Sequence, residues 1–305
     1  MRAAIELPAV AIFTIVAGSL IILFFVLLAQ SQGSSAERST QARSLQFLDT
    51  LIKSAATQGS TSTNITVIDS TLLFECDATG SWYGYQGGEQ LPIYNILIFS
   101  PEKLTGGQLE AKTLPSSVPF KALNVLYLET DRNLVYYSEN NQNDIAGFPF
   151  PVLTGSGDSS YRTIVEGSAT MGSNTVKLIP ASDPSYGQVM YFGGDTVTYP
   201  NKELMYGALL SKDKDTYDCV FNEYLDQVKF VSKVLEMRAE DLRASYDPNN
   251  PCWSKYQTDA FITIENLPRA QDFSLTKAEE FQQAAKKIEF VNGDLLSGDN
   301  CVSLY

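Results

Sequence analysis

The pattern of apolar and polar positions changes twice along the chain and predicts three regions. Residues 7–29 carry no formal charge and are nearly all apolar, and from 36 to 58 apolar positions recur at helical spacing. From about 64 to 210, short runs of β-branched and aromatic residues alternate with turn residues, which is typical of strands. Helical spacing returns from about 215. The pattern therefore predicts an α+β fold: a long N-terminal transmembrane and amphipathic helix, an antiparallel β-rich domain and a helical C-terminal region.

The run at 7–29 is predicted to be a membrane anchor. At about 1.5 Å per residue it spans roughly 34 Å as a helix, enough to cross a hydrocarbon core of about 30 Å. The apolar core of a secretory signal is usually only about 7–15 residues long, so we expect the run to be retained. The alternative is removal at the cleavage-like sequence Ser34-Ser35-Ala36. The short N-terminal tail favours a cytoplasmic N-terminus and a C-terminal domain outside the cell.

These patterns define the predicted domain organisation. A single crossing separates a short tail from everything that follows, and the pattern changes again where helical spacing ends and where it resumes. The predicted boundaries are 1–6 for a cytoplasmic tail, 7–29 for the transmembrane helix, 30–61 for an amphipathic helix or stalk, 62–212 for the β-rich extracytoplasmic domain and 213–305 for the helical C-terminal region.

Finer predictions concern individual elements. An apolar face at a spacing of three, four or seven predicts one long helix over about 217–244. Phe261–Ile264 is predicted to be a strand. The capping box Thr276–Glu279 is predicted to open a helix that Asn292-Gly293 closes. No helical pattern interrupts the strand-rich part, so we expect antiparallel pairing there rather than βαβ units.

The four cysteines, Cys76, Cys219, Cys252 and Cys301, all follow the predicted anchor. An even count in an exported domain predicts two disulfides, and no two cysteines have Cys-x-x-Cys spacing. With a helix over about 217–244, the helix end lies about 39 Å from its start near Cys219, and the chain to Cys252 returns at most about 25–28 Å, which argues against that pair. Two connectivities stay open: Cys76–Cys219 with Cys252–Cys301, or Cys76–Cys252 with Cys219–Cys301.

Composition narrows the class of function. The net charge is −13, which argues against binding nucleic acid or lying on anionic lipid. Histidine is absent, which excludes a Ser-His-Asp or Cys-His nucleophile and any histidine-ligated metal. No cofactor and no metal are predicted. The sequence Asn64-Ile65-Thr66 makes Asn64 a candidate N-glycosylation site, which fits an exported protein.

Several motifs are assigned to ordinary structure. The glycine-rich turns lack a following Gly-Lys-Ser/Thr, so they are predicted to be β-turns rather than phosphate loops. The acidic stretch 212–218 lacks EF-hand spacing and is predicted to be a helix N-terminus. Trp82 and its neighbouring tyrosines favour aromatic packing around Cys76 over a sugar-stacking loop. Surface charge, rather than a catalytic pair, is predicted for Glu102, Glu110, Asp144, Glu166 and Asp195.

The N-terminus has a family resemblance. Arg2-Ala3-Ala4-Ile5-Glu6-Leu7, followed by the apolar run, resembles the start of mature archaeal type IV pilin-like proteins, whose precursors carry a class III signal sequence, and of TadE-like exported proteins. The resemblance covers about residues 2–58. It implies that Arg2 matches the first mature residue, and that Glu6 matches the acid that pairs with the N-terminal amine of a neighbouring subunit. It also implies a homo-oligomer assembled through the N-terminal helix.

Together these observations predict a membrane-anchored extracytoplasmic structural protein, a pilin-like subunit of a cell-surface filament or envelope assembly. Its expected partners are the membrane and further copies of itself, with Glu6 and Arg2 as assembly residues. The alternative is a monomeric membrane-tethered binding or adhesion module. A surface enzyme that uses carboxylates is the least favoured hypothesis, and no catalytic residue is predicted.

Overall fold

The computed structural model covers most of the chain beyond residue 40. It describes residues 23, 41–54, 57, 61–66, 71–77, 80–94, 96–105, 108–116, 120, 123–130, 136–138, 145, 148–150, 152–154, 163–166, 171–172, 174–297 and 301–305. The tail with Arg2 and Glu6, and the predicted anchor at 7–29 apart from Leu23, lie outside these residues, so both stay predictions. No helix among the described ranges combines the length and the apolar character that a membrane crossing requires.

Helices frame a β-rich middle, which confirms the α+β class. Helix α1 covers residues 41–54. The later helices are α2 Lys202–Leu210, α3 Lys214–Ser245, α4 Asp259–Glu265 and α5 Leu275–Ser297, with a short 3-10 helix at Ala270–Asp272. The strands are β1 Thr61–Thr66, β2 Thr71–Asp77, β3 Gly80–Tyr85, β4 Gln90–Pro92, β5 Leu97–Phe99, β6 Lys103–Thr105, β7 Gln108–Ser116, β8 Leu123–Thr130, β9 Tyr136–Ser138, β10 Val152–Thr154, β11 Thr163–Glu166, β12 Thr175–Pro180, β13 Gly187–Tyr191 and β14 Thr196–Tyr199.

The strands form three sheets, and over the three together antiparallel pairs outnumber parallel ones. The first sheet has the order β1-β7-β8-β5, the second β4-β3-β2-β6 and the third β10-β9-β11-β12-β13-β14. Four pairs of strands are parallel: β5 with β8, β9 with β10, β9 with β11, and β11 with β12. The sequence did not predict these parallel pairs. The described part of the crossover from β5 to β8 contains β6 and β7 and no helix. Parallel strands are usually connected through a helix, and this parallel pair forms without one in the described crossover.

The larger of two hydrophobic cores lies between the sheets and the C-terminal helices. It takes buried side chains from β5, β8, the third sheet and all four helices α2 to α5, so it joins both sides of residue 212. The ring of Phe99 stacks on Tyr127 and Tyr217, with centroids 6.3 and 6.0 Å away. Gly207 of α2 faces this ring, and a Cβ there would stand 2.6 Å from a ring carbon of Phe99. The close contact between β5 and α2 therefore requires glycine at 207.

The long helix predicted over 217–244 is confirmed as α3. Asp213 caps it, because its carboxylate accepts a hydrogen bond from the backbone N–H of Thr216 at 2.9 Å. This confirms the predicted acidic helix N-terminus. Helix α2 was not predicted, because its apolar residues follow directly on those of the preceding strands and show no change of pattern that would mark a helix. Asn201 caps it by accepting from the backbone N–H of Leu204 at 2.9 Å.

Two predictions in the C-terminal region are wrong. Phe261–Ile264 lies in helix α4, not in a strand, because α4 buries Ala260, Phe261 and Ile264 at helical spacing and leaves Ile262 exposed. Helix α5 continues to Ser297 and does not end at Asn292-Gly293. The side chain of Asn292 serves a tertiary contact instead, accepting from the backbone N–H of Leu304 at 2.8 Å.

The C-terminal segment 301–305 is held against the helices by several contacts. Cys301 forms a disulfide with Cys252, and Leu304 is fully buried. Tyr256 on the α3–α4 connection donates its hydroxyl to the carbonyl of Val302 at 2.8 Å. The segment is thus an integral part of the helical region.

Candidate functional site

Helix α1 lies on the first two sheets and buries one face in the smaller core. Leu45, Leu48 and Ile52 are almost fully buried, which confirms the apolar face expected from helical spacing. They pack with residues of both sheets: Ile65, Leu72, Phe74, Tyr83, Tyr85, Ile98, Leu104, Leu109, Ala111, Leu126 and Leu128. We call this contact the α1 interface. Burying a leucine or isoleucine contributes about 1.5–3 kcal/mol, so three such residues hold α1 firmly to the domain.

Two tyrosines of β3 fix the position of α1 along the sheet. The hydroxyl of Tyr85 lies 2.8 Å from Ser44 Oγ, and the hydroxyl of Tyr83 donates to Asp49 Oδ1 at 2.8 Å. Lys53, one turn along α1, pairs with the other oxygen of Asp49 at 2.7 Å. Apolar packing alone tolerates sliding, whereas two hydrogen bonds to positions five residues apart on α1, about one and a half turns, define its register.

The electrostatics of these contacts favour a neutral phenol and a charged carboxylate. Desolvation acts to raise the pKa of Asp49, but hydrogen bonds from Lys53 and Tyr83 outweigh it and the pKa is lowered. Burial, with the nearby Asp49 charge, raises the pKa of Tyr83 well above its usual value. Burial also raises the pKa of Tyr85, against the opposing hydrogen bond with Ser44. Tyr83 therefore stays a donor to an ionised Asp49 over the physiological pH range.

The turn between β3 and β4 lies beside Gln41 and Ala42, the first described residues of α1. Gly87 has a φ of +75°, a left-handed conformation that favours glycine. A Cβ on Gly88 would stand 3.3 Å from Oε1 of Gln41. An open groove of about 490 Å³ lies there, lined by Gln41, Ala42, Leu45, Tyr85, Gly87, Gly88 and Glu89. The predicted β-turn at Gly87-Gly88 is therefore confirmed. The turn contacts α1, the helix that follows the predicted anchor in the sequence.

A disulfide links the α1-bearing sheets to the helical region. Cys76 of β2 and Cys219 of α3 are bonded, with Cα atoms 5.9 Å apart, which together with Cys252–Cys301 gives the first of the two connectivities left open above. Ser81, opposite Cys76 on β3, donates its hydroxyl to Glu223 of α3 at 2.9 Å. The disulfide and this hydrogen bond together fix β2 and β3 to α3.

An open depression of about 750 Å³ lies beside the Cys76–Cys219 disulfide. Its polar lining is mainly acidic, with Lys214 and Arg269 as the basic members. Asp218 pairs with Lys214, and Asp226 pairs with Arg269 at 2.8 Å. The other lining residues are Asp77, Gly80, Asp215, Asn222, Glu223 and Gln271. Among the described residues, no three metal-ligating side chains are grouped so as to hold an ion.

The carboxylates considered at the sequence level do not form a pair where they are described. Glu102 pairs with Lys212 at 2.6 Å and Glu110 with Lys112 at 3.0 Å, and both pairs are partly exposed. Asp195 is exposed in the β13–β14 turn. Asp144 lies outside the described residues, and only the strand position of Glu166, in β11, is described. The charges of Glu102 and Glu110 thus serve ion pairs, and Asp195 occupies a turn.

Two other sequence candidates have defined positions. Asn64 is exposed on β1, an edge strand of the first sheet, so its side chain is accessible; its glycosylation stays a prediction. Trp82 lies in β3, not in a loop, and lines a cavity of about 20 Å³ together with Cys76, room for about one water molecule. Trp82 and Cys76 thus line the same small cavity, and packing of Trp82 around Cys76 stays a prediction.

The residues that sequence reasoning missed are Tyr83 and Tyr85 as partners of α1. Their alternation with Trp82 and Gly84 is a strand signal of period two, but the sequence analysis assigned both tyrosines to packing around Cys76. Gly84 is required for another reason: a Cβ there would lie 2.3 Å from the carbonyl oxygen of Glu89 on the neighbouring chain segment. The glycine marks the close approach of β3 and the segment leading into β4.

Comparison with models of known protein families, with curated proteins and with solved structures gives no match to this chain. The proposals that follow therefore rest on the geometry of the α1 interface and on the sequence.

Proposed function

We propose that this chain is a membrane-anchored extracytoplasmic structural protein, a pilin-like subunit of a cell-surface filament or envelope assembly. The observation that supports it best is the α1 interface. Helix α1, which follows the predicted anchor in the sequence, is held on the β-rich domain by three buried aliphatic side chains and by Tyr83 and Tyr85. A subunit assembled through its N-terminal helix needs such a fixed connection, because the helix then sets the position of the whole domain.

The disulfides support an extracytoplasmic location for the domain. Both pairs have Cα separations, 5.9 and 5.7 Å, within the usual range for disulfides. Such bonds form and persist in oxidising compartments and are rare in the cytosol. An exposed Asn64 in a sequon fits the same compartment.

The assembly residue to test is Glu6. In the proposed assembly its carboxylate pairs with the N-terminal amine of a neighbour within the membrane-spanning layer, where an unpaired acid is costly. We expect Glu6→Gln to abolish filaments in cells that express the full-length chain, as seen by negative-stain electron microscopy of sheared material. Glu37→Gln makes the same chemical change beyond the apolar run and is the matched control.

Folding must be checked in the same samples. Mass spectrometry should find both disulfides in the Glu6→Gln and Glu37→Gln proteins, and the N-terminal peptide shows whether processing places Arg2 first. Normal filaments from Glu6→Gln would contradict the proposed pairing. Dispersed particles from the unchanged chain, soluble only in detergent, would contradict the filament itself.

The depression beside Cys76–Cys219 favours a second candidate, a membrane-tethered binding or adhesion module. Its acidic lining suits a cationic ligand. Replacing residues 7–29 with an unrelated membrane helix distinguishes the two: a tethered module keeps its surface activity, whereas a filament subunit does not assemble.

A further inference from the structure

An apolar stripe is exposed on the second half of α3. Phe230, Val234 and Met237 are spaced by four and three residues, so they share one face of the helix. They are 71%, 49% and 56% exposed, although large apolar side chains are usually buried. Asp241, one turn further on, is also exposed and lies on the same face. The stripe therefore ends in a negative charge.

The charges nearest to the stripe are mostly engaged elsewhere. Lys233 pairs with Glu236, and Arg238 donates to the carbonyl oxygen of Ser303 at 3.1 Å. Asp241 makes no ion pair with any other described residue. In line with the stripe, the charge offered to an incoming surface is that of Asp241 and is negative, while the guanidinium of Arg238 keeps its positive charge at the flank.

The outward face of α1 has the complementary pattern. Phe47 is 61% exposed on the side of α1 away from the α1 interface, and Arg43, one turn before it, is exposed too. Arg43 makes no ion pair within the described part of the chain. Helix α1 has two basic side chains and one acidic one over 41–54, while the whole chain has a net charge of −13. Because Lys53 pairs with Asp49 at 2.7 Å, the charge on the outward face of α1 is that of Arg43, which is positive and lies beside the exposed ring of Phe47.

We propose that the outward face of α1 docks on the α3 stripe of a second copy of this chain. This inference rests on the proposed homo-oligomeric assembly and names a contact within it. Arg43 and Phe47 are about 6 Å apart along α1, and Asp241 and Met237 are about 6 Å apart along α3. When the two helices run antiparallel, Arg43 meets Asp241 while Phe47 meets Met237 and Val234.

The geometry of this contact suits a growing assembly. The two surfaces are different parts of the same chain, so each copy offers one α1 face and one α3 stripe. Such a heterologous contact extends to a further copy unless the rotation between copies closes a ring. The ion pair supplies orientation, and burial of the aromatic and aliphatic side chains supplies the attraction.

Photo-crosslinking on the full-length chain in its own membrane tests the contact. A benzophenone amino acid is placed at position 234, and the products are digested with trypsin, which cuts after Arg43 and Lys53. We expect a product of twice the chain mass with the crosslink on the peptide Ser44–Lys53, which contains Phe47. A crosslink to another part of the chain, to another protein or to lipid, or no dimer product, would overturn the proposal.

Charge reversal gives the second arm of the test. Arg43→Glu or Asp241→Arg alone should lower the dimer yield at least about fivefold, because each places like charges opposite one another. The two changes together should restore the yield to within about twofold. Glu240→Arg is the matched control, since Glu240 is exposed beside Asp241 but lies about 100° around the helix. A double variant that is no better than either single variant would overturn the pairing.

The outcomes separate this contact from the filament proposal. Filaments that lack the crosslink from position 234 to α1 would overturn the contact and leave the filament standing. The crosslink in cells without filaments would support the contact in a smaller oligomer and count against the filament.

Discussion

The hydroxyl of Tyr83 on β3 lies 2.8 Å from a carboxylate oxygen of Asp49 on α1, joining residues that are 34 positions apart in the chain. Lys53 occupies the other carboxylate oxygen. Because Asp49 is ionised and Tyr83 is buried, this hydrogen bond is charge-assisted and shielded from water on one side. It is therefore the polar contact most able to hold α1 in place.

Removing this hydrogen bond should loosen α1. We expect Tyr83→Phe to lower the free energy of unfolding by about 1–2 kcal/mol, because Asp49 then loses its buried donor. Hydrogen exchange over residues 41–54 should become faster than in the unchanged protein. Tyr94→Phe is the control, since Tyr94 is 69% exposed. Equal exchange rates in the two variants would show that apolar packing alone positions α1.

Two helical glycines should respond oppositely to alanine. Gly207→Ala brings a Cβ within 2.6 Å of the Phe99 ring in the main core, and we expect a loss of about 1–3 kcal/mol from overpacking. Gly293→Ala meets no atom within 4 Å on α5 and should gain about 0.5–1 kcal/mol from helix propensity. Thermal unfolding of the two variants measures both effects. A tolerated Gly207→Ala would contradict the close contact of α2 with β5.

Asp183 should make a contribution to the free energy of unfolding that is lost at acid pH. Hydrogen bonds from the hydroxyl and backbone N–H of Ser185, and from Lys286, lower the pKa of Asp183 to about 2. A carboxyl whose pKa is lower in the folded state than in the unfolded state stabilises the folded protein when the pH is above the unfolded-state pKa of about 3.9. That contribution is lost as the pH falls through the folded-state pKa of about 2. We expect Asp183→Asn to destabilise the protein at pH 7 and to have almost no effect near pH 2.

The control for this pH dependence is Asp259→Asn. Asp259 is 78% exposed and meets Lys287 at a longer distance, 3.4 Å. Surface pairs of this kind contribute little, so its effect should be small at both pH values. Urea unfolding of both variants at the two pH values gives the comparison, and a pH-independent effect of Asp183→Asn would contradict the assigned interactions.

The two disulfides should differ in their rate of reduction. Cys76 and Cys219 are partly exposed beside the open depression, whereas Cys252 and Cys301 are buried, at 3% and 9% exposed. Reduction requires a thiolate to reach the sulfur atoms, so a limiting reductant should open Cys76–Cys219 first. Alkylation followed by mass spectrometry identifies the modified pair. Earlier alkylation of Cys252 and Cys301 would show that the helical region opens more readily than its burial indicates.

The sequence predicted elements whose pattern is long or strongly periodic. Helix α3 and the apolar face of α1 were predicted because their apolar residues recur at helical spacing over several turns. Helix α4 was mistaken for a strand because Phe-Ile-Thr-Ile has high β-propensity, and its packing between α3 and α5 decides otherwise. Such a short element depends on tertiary contacts that local sequence does not contain.

The candidate site was only partly predictable for the same reason. Leu45, Leu48 and Ile52 announce a buried face, but nothing near them in sequence identifies Tyr83 and Tyr85 as the partners. The parallel pairing of β5 with β8 was likewise not predictable, because the crossover between them contains strands and carries no helical pattern in the sequence. Long-range pairing of this kind needs the whole fold.

The disulfide connectivity has a consequence for a chain that emerges N-terminus first into an oxidising compartment. Cys76 appears alone, and the next cysteine to follow, Cys219, is its native partner. Cys252 emerges next, and the cysteine that follows it, Cys301 in the C-terminal segment, is its native partner. Pairing each cysteine with the next one to arrive therefore gives the native bonds in order of synthesis, and no disulfide needs to be exchanged.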